Sequence, residues 1–266
     1  MIRTPVVLTI AGSDSGGGAG IEADIKTIAS HKLHGAVAIT SVTSQNTTGV
    51  LSAFELPTEV VASQIDAVCI DMDIEWAKSG MLSSSDIITT VSTMVRKYGL
   101  KLVVDPVMAA EAGGNLLRKE AISTLIKELL PISQVVTPNI SEATALSGMK
   151  IKTIDDAKKA AIIIAKTGVK NVIITGGHLD ASDIVYQSET EKFTIILGEF
   201  VKGGTHGSGC TYSASLVSLL ACGKTIEEAA RGAKDFVVHA IIGSQPVGKG
   251  VGPVNPLAKL HLEVIK

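Results

Sequence analysis

Short runs of β-branched and aliphatic residues alternate along the chain with longer stretches in which apolar positions return every three or four residues. The first pattern marks strands, and the second marks helices packed on one face. Strands are expected over 5–12, 35–47, 74–81, 100–107, 134–137 and 171–175. Helices are expected over 21–33, from Thr58 toward Met72, from Ser83 or Ser84 to just before Gly99, and over 119–130, 141–146, 154–167 and 226–242. Thr58, Ser83 or Ser84, and Thr153 are residues of the kind that cap helices, and Asp156 stands one turn after Thr153. Residues 50–57 read as an edge strand closed by Pro57, residues 109–115 as a loop, and 183–187 with 192–197 as a hairpin. A last helix begins near Gly209, where a glycine-rich turn feeds a long apolar run. The repeated β-to-α alternation predicts a layered α/β domain with a mostly parallel sheet. Residues 100–107, LKLVVDPV, are almost continuously apolar, which places them at the centre of that sheet.

The chain has 266 residues, ample for one α/β domain and short for two, and no repeat or linker divides 1–266. Aromatic residues are only 3%, so the core must be built from Ile, Val, Leu and Ala. A formal charge of -2 without any Lys/Arg block predicts neither a nucleic-acid surface nor an anionic-membrane surface. The three cysteines, Cys69, Cys210 and Cys222, cannot all pair and lack the spacing of a metal knuckle. That points to a reducing compartment, with Cys69 in the core. With no signal-peptide pattern and no long apolar span, the chain reads as soluble and cytoplasmic.

Three places carry candidate chemistry. The loop SDSGGGAG (13–20) joins a strand to a helix, the position at which α/β sheets bind ligands. Gly18, Gly20 and Ala23 fit a dinucleotide fingerprint, but no Asp or Glu occurs between Ile25 and Phe54 to hold a ribose, and no Walker lysine ends the loop. A small-ligand loop flanked by Asp14 and Asp24 and a structural turn both remain open. Farther on, Gln45 ends a strand among neutral polar residues, where its amide can donate and accept at once, although on these residues alone an ordinary polar turn is the favoured reading. Asp105 stands at the carboxyl end of a strand, and Asn139 and Glu142 lie about one turn apart at a helix start, where a carboxylate can hold Mg²⁺ beside nucleotide phosphates. The third place is the stretch 203–223, GGTHGSGCTYSASLVSLLACG. A helix N-terminus offers unpaired N–H groups to an anion, and its field favours a thiolate at Cys210. The competing reading is an ordinary loop before a core helix, with Cys210 as a small hydrophobe.

AGSDSGGGAGIEAD (11–24), SVTSQNT (41–47), KSGML (78–82), VVDPVM (103–108), TPNISEA (137–143), TGGHL (175–179) and GGTHGSGCTYSA (203–214) occur in a consistent order. Together they resemble the hydroxymethylpyrimidine/phosphomethylpyrimidine kinases of thiamine biosynthesis, in the ribokinase-like superfamily, over nearly the whole chain to about Pro256. The resemblance implies a three-layer α/β/α sandwich with a small β element at the substrate edge, and a homodimer. It also implies ATP- and Mg²⁺-dependent phosphorylation of 4-amino-5-hydroxymethyl-2-methylpyrimidine, then of its monophosphate. Carried over by motif, Gln45 hydrogen-bonds the aminopyrimidine, Gly12, Asp24 and Val107 line its pocket, and Met81 packs on the ring. Asp105 and Glu142 belong to the magnesium–phosphate region, with Asn139 and Thr175 at the nucleotide. Gly207 and Gly209 help form the anion hole, and Cys210 is the implied base for the hydroxymethyl group. One position departs from the family pattern: lysine is common immediately before Gly-Gly-His, and here that residue is Thr175. Lys202 and Lys249 are candidates to replace its charge, and His178 and His206 can contact phosphate or serve structure. Competing functions are a pyridoxal or pyridoxine kinase and a non-catalytic pyrimidine-phosphate sensor.

Overall fold

The computed structural model describes residues 4–109, 117, 119–176 and 180–258. His178, all but Ala109 of the loop at 109–115, and the tail from 259 therefore lie outside the described residues. The strands are β1 (Val6–Asp14), β2 (His34–Asn46), β3 (Gly49–Glu55), β4 (Ile74–Ser79), β5 (Lys101–Val104), β6 (Val135–Val136), β7 (Asn171–Ile174), β8 (Asp183–Gln187) and β9 (Lys192–Ile196). The helices are α1 (Gly20–Ser30), α2 (Thr58–Asp71), α3 (Ser85–Tyr98), α4 (Lys119–Thr124), α5 (Ile140–Ser147), α6 (Ile154–Ala165), α7 (Ser208–Ala221) and α8 (Ile226–Ile242).

The strands form one sheet in the order β3-β2-β1-β4-β5-β6-β7-β8-β9. From β2 to β7 every neighbouring pair is parallel, while β3 at one edge and β8–β9 at the other are antiparallel. Period-two alternation sorts the core side chains between two layers. Leu8, Ile10, Leu102, Val104, Val172 and Ile174 pack with residues of α2 to α6, such as Ile65, Ile88, Ala121, Ala143 and Ala161. Val7, Val103 and Ile173 pack on the other face with Ile28 of α1, Leu216 of α7 and Ala233 of α8. Burial on both faces is why these strands read as unbroken apolar runs. The expected α/β/α sandwich is what the chain forms, with the hairpin and the edge strand in place. No described helix is long and apolar enough to cross a membrane.

Local signals hold where a side chain has no better partner than the helix end. Thr153 caps α6 in a reciprocal arrangement with Asp156, and Gly99 closes α3 at φ 63°. Two expected caps fail. Pro57 occupies the cap position of α2, and the Thr58 hydroxyl faces Glu59 instead. Ser84 does stand at the cap of α3, but its hydroxyl donates to Glu55 across the fold at 2.7 Å. The helix expected over 119–130 stops being regular at Thr124 and continues as a wide turn over Leu125–Leu129 and a tight one over Leu130–Ile132. Cys69 is half-buried against the core.

β1 has β2 on one side and β4 on the other, so connections leave it in opposite directions and open a crevice beyond its carboxyl end. The loops after β1, β4, β5, β6 and β7 converge there.

Candidate active site

Two glycine loops build the floor. After β1, the Asp14 carboxylate accepts the backbone N–H groups of Gly16 (2.8 Å), Gly18 (3.0 Å) and Ala19 (2.9 Å). It also meets His206 Nε2 at 2.9 Å. Burial pushes the Asp14 carboxyl up, but the His206 and backbone hydrogen bonds outweigh it and hold the group below its ordinary value. The second loop lies directly on the first. Gly207 adopts φ 82°, and a Cβ there would overlap the Gly18 carbonyl oxygen. His206 is buried under this junction, and the same Nε2 that meets Asp14 lies 3.3 Å from Gln45 Nε2.

Gly207 is also the cap position of α7, and no side chain caps that helix start. Its first N–H groups are therefore available to an anion, and the exposed Gly209 keeps the approach clear. The helix begins one residue before the expected Gly209 and is buried around most of its circumference, as its apolar run predicts.

On the opposite side, Gly12 lets three elements meet. A Cβ there would stand 2.8 Å from Ser41 Oγ and 3.2 Å from Met81 Sδ. Met81 is fixed through its carbonyl, which accepts from Thr40 Oγ1 at 2.7 Å. Val107 is half-buried after β5, its N–H folded back onto the Asp105 carbonyl at 2.9 Å. Gln45 is half-buried, with its side-chain oxygen 3.4 Å from Thr43 Oγ1. Gly12 and Met81 thus meet on one side of the first glycine loop, while Gln45 is tied to the loop itself through Ser15, whose hydroxyl donates to its carbonyl at 2.7 Å.

Asp24 does not present a carboxylate to that cleft. It is fully buried, and its oxygens accept from Lys78 Nζ at 2.9 and 2.8 Å and from Thr9 Oγ1 at 2.6 Å. Lys78 is itself fully buried, and its Nζ stands 3.9 Å from Asp105 Oδ2. The same Oδ2 accepts from Ser213 Oγ of α7 at 2.9 Å. Burial would lower the Lys78 ammonium, but Asp24, Cys210 and Asp105 together hold it above its ordinary value.

Cys210 joins this charged centre rather than an apolar one, its sulfur facing the Gly20 N–H. The pull of the helix N-terminus toward a thiolate is opposed at half-buried Cys210. Burial pushes the thiol up to about 12; Lys78 and the Gly20 N–H work against that, but Asp105 and Asp24 add to it.

Glu142 lies beyond Asp105. Its N–H donates to Asn139 Oδ1 (3.0 Å), while its carboxylate accepts the N–H groups of Asn139 (2.9 Å) and Met108 (3.4 Å). Asn139 is therefore first of all the cap of α5. Burial and the negative charge of Asp105 raise the Glu142 carboxyl to about 8. Two buried carboxylates that repel each other suit a hard cation which keeps water and substrate phosphates as its remaining ligands. Among the described residues no group of three His, Cys, Asp or Glu side chains gathers to hold a metal ion.

Thr175 follows β7, bridges to Asn139 and donates its N–H to the Pro138 carbonyl at 2.9 Å, which brings it beside the Glu142 turn. Lys202 is exposed. Lys249 is also exposed, its N–H donated to Thr47 Oγ1 at 3.2 Å near the β2–β3 edge. A basic residue missed in the sequence is Lys234 of α8. It reaches the Ala181 carbonyl and meets Asp183 Oδ1 at 2.8 Å, and Asp183 in turn accepts the Gly176 N–H at 3.0 Å. Nothing in the helical pattern distinguishes Lys234. Lys78 was legible in principle, as a lone cation inside an otherwise apolar strand.

Known proteins match this arrangement over almost the full chain. A family profile described as phosphomethylpyrimidine kinase matches residues 14–255. The hydroxymethylpyrimidine/phosphomethylpyrimidine kinase of Haemophilus influenzae is 44% identical, over 98% of this chain and 100% of that protein. The thiamine biosynthesis bifunctional protein ThiED of Geobacter sulfurreducens is 40% identical, over 94% of this chain and 51% of its own length. Among solved structures, an ADP complex of Bacillus subtilis pyridoxal kinase superimposes with a TM-score of 0.89 at 36% identity, covering 97% of this chain and 99% of that one. With that profile match and relatives of this identity over nearly the whole chain, this chain belongs to the phosphomethylpyrimidine kinase family.

Proposed function

We propose that this chain transfers phosphate from ATP to 4-amino-5-hydroxymethyl-2-methylpyrimidine and then to its monophosphate, in thiamine biosynthesis. The observation that carries the reading is the meeting of three groups at one sheet edge: an uncapped helix start behind a glycine turn, the buried pair Asp105 and Glu142, and Cys210. Phosphoryl transfer needs in-line positioning and compensation of charge on the moving oxygens more than covalent help. In this reading the N–H groups after Gly207, including that of Gly209, receive the transferred phosphoryl oxygens. Asp105 and Glu142 hold Mg²⁺, which neutralises charge on the donor phosphates. Asn139 and Thr175 border the nucleotide. Gly12, Met81 and Val107 enclose a flat ring, and Gln45 pairs with its amino-substituted edge. Asp24 acts on this pocket indirectly, by holding Lys78.

Cys210 is the group placed to take the hydroxymethyl proton. In the free protein it is a thiol, so it serves as base only once the carboxylate charge beside it is offset. A rate that rises with pH in the Mg²⁺–ATP complex, and loses that rise in Cys210→Ser, supports this role.

A coupled ADP-release assay run in parallel on the hydroxymethylpyrimidine, its monophosphate and pyridoxal tests the function. Turnover on both pyrimidines supports it. Turnover on pyridoxal alone selects the second reading, a pyridoxal kinase, which the Bacillus subtilis structure favours. Binding without ADP release selects a sensor. A cytoplasmic location suits the three free cysteines. The homodimer has a candidate surface in β3, an edge strand exposing Leu51 and Phe54; light scattering that returns a monomer mass refutes it.

A further inference from the structure

Lys78 is among the largest fully buried side chains of the protein. Five elements converge on it. Thr9 of β1 and Asp24 of α1 lie on one side, with Thr9 donating to the Asp24 oxygen that Lys78 also binds. Asp105, just after β5, lies on the other at 3.9 Å, and Ser213 of α7 donates to the same Asp105 oxygen. The turn after β4 closes over it, since a Cβ at Gly80 would come within 3.1 Å of Nζ. Burying an ammonium costs several kcal/mol unless it is paired, and apolar replacements of buried ion pairs are often neutral or better for stability. Folding alone therefore has no need of a cation here. Its location does give it a role, because it sits where a carboxylate of the proposed metal pair, a second carboxylate and the site thiol come together.

We propose that Lys78 is a positioning residue for phosphoryl transfer, fixing the Asp105 carboxylate through Oδ2 and offsetting the negative charge that faces Cys210. With Oδ2 hydrogen-bonded by Ser213 and facing the Lys78 ammonium at 3.9 Å, Oδ1 is the oxygen left for a metal or a metal-bound water. Asp24, held by Thr9, is the counterweight that keeps the ammonium from closing fully onto Asp105. The direction of the Cys210 shift agrees, since Lys78 is the group that most strongly opposes the loss of thiolate there. The proposal rests on the kinase reading for its kinetic consequence and stands apart from it for its consequence at the thiol.

The test uses Lys78→Met, Lys78→Gln, Lys78→Arg and the double variant Asp24→Asn/Lys78→Met, which removes both charges together and leaves no buried ion unpaired. Melting curves establish folding. Iodoacetamide labelling at pH 9, without metal or nucleotide, is followed by peptide mass spectrometry at Cys210, with the exposed Cys222 as internal reference. Removal of an opposite charge at close range raises a thiol by about one unit or more, so labelling of Cys210 relative to Cys222 falls roughly tenfold in folded Lys78→Met and Lys78→Gln, and less in the double variant, which also loses the opposing Asp24 charge. Lys78→Arg restores most of it. Kinetics show kcat reduced roughly 10²-fold with KM for the pyrimidine within about threefold, the signature of an effect on the reacting groups rather than on binding. A folded double variant with wild-type kcat, or a folded Lys78→Met or Lys78→Gln with wild-type Cys210 labelling, overturns the proposal. So does a set in which every variant lacking the cation simply fails to fold. Should the wild-type protein show no turnover on any substrate, the functional reading falls, while the labelling experiment still decides the role of Lys78.

Discussion

The contact between the two glycine loops makes a quantitative prediction for Gly207→Ala. Gly207 holds φ 82°, a conformation that costs an L-residue about 1–2 kcal/mol. A new Cβ would overlap the Gly18 carbonyl oxygen and sit 2.9 Å from its carbon, about 0.5 Å inside the 3.4 Å at which ordinary contact begins. Gly18 cannot retreat freely, because its N–H is bound to Asp14, which is itself tied to His206. Strain therefore falls on the geometry of the phosphate cradle. Gly99→Ala supplies the control, with φ 63° and nothing within 4 Å of the added carbon, so it carries the backbone cost alone. For a domain of this size about 1 kcal/mol lowers Tm by about 2–4 °C, so the backbone cost of about 1–2 kcal/mol predicts a loss of about 2–8 °C for Gly99→Ala with unchanged kinetics. Gly207→Ala is expected to lose at least twice as much in Tm, and roughly 10²-fold in kcat/KM for ATP, the scale of a misplacement near 1 Å. Thermal melts and a coupled ADP-release assay measure both. If Gly207→Ala matches Gly99→Ala in Tm and keeps kcat/KM within twofold of wild type, the loops do not form a rigid cradle and the reasoning fails.

Replacing Cys210 with alanine should lower kcat by roughly 10²-fold, the scale of general acid–base catalysis, with nucleotide affinity retained in calorimetry; equal losses of both would make it a packing residue. Glu142, raised to about 8 in the fold against an ordinary 4.5, binds its proton more tightly folded than unfolded. Its contribution is thus full below pH 4.5 and lost as pH rises toward and through 8, so stability measured in EDTA should decline across that window, and Glu142→Gln should flatten the slope. Asp14 has the opposite sign, since its native value lies below the ordinary 3.8. The deficit of Asp14→Asn in urea melts should be present at pH 7 and shrink as pH falls below 3.8 through the native value; a deficit that is constant with pH would show that its carboxylate charge contributes nothing.

The alternation of apolar runs and helical periodicity was enough to place β1, α6, the β8–β9 hairpin and α8, because the sheet buries both faces and each helix buries one. The capping pair at Thr153 was legible for a related reason: its partner lies three residues away, so the interaction is written within the segment itself, whereas Asn139, read with Glu142 for the nucleotide, proves to cap α5. Ser84 failed as a cap because Glu55, distant in sequence, competes for its hydroxyl. The same distinction divides the site. Glycine loops, an acid after a strand and a thiol on a helix start are local features, and the chain displays them. Which way their charges act depends on neighbours brought together from five elements. Sequence assigned Asp24 to the substrate and a thiolate to Cys210, whereas the fold gives Asp24 to Lys78 and keeps the thiol protonated. Electrostatic effects add over distances of a few ångströms in space and depend on burial, and neither quantity exists until the sheet has closed over Lys78.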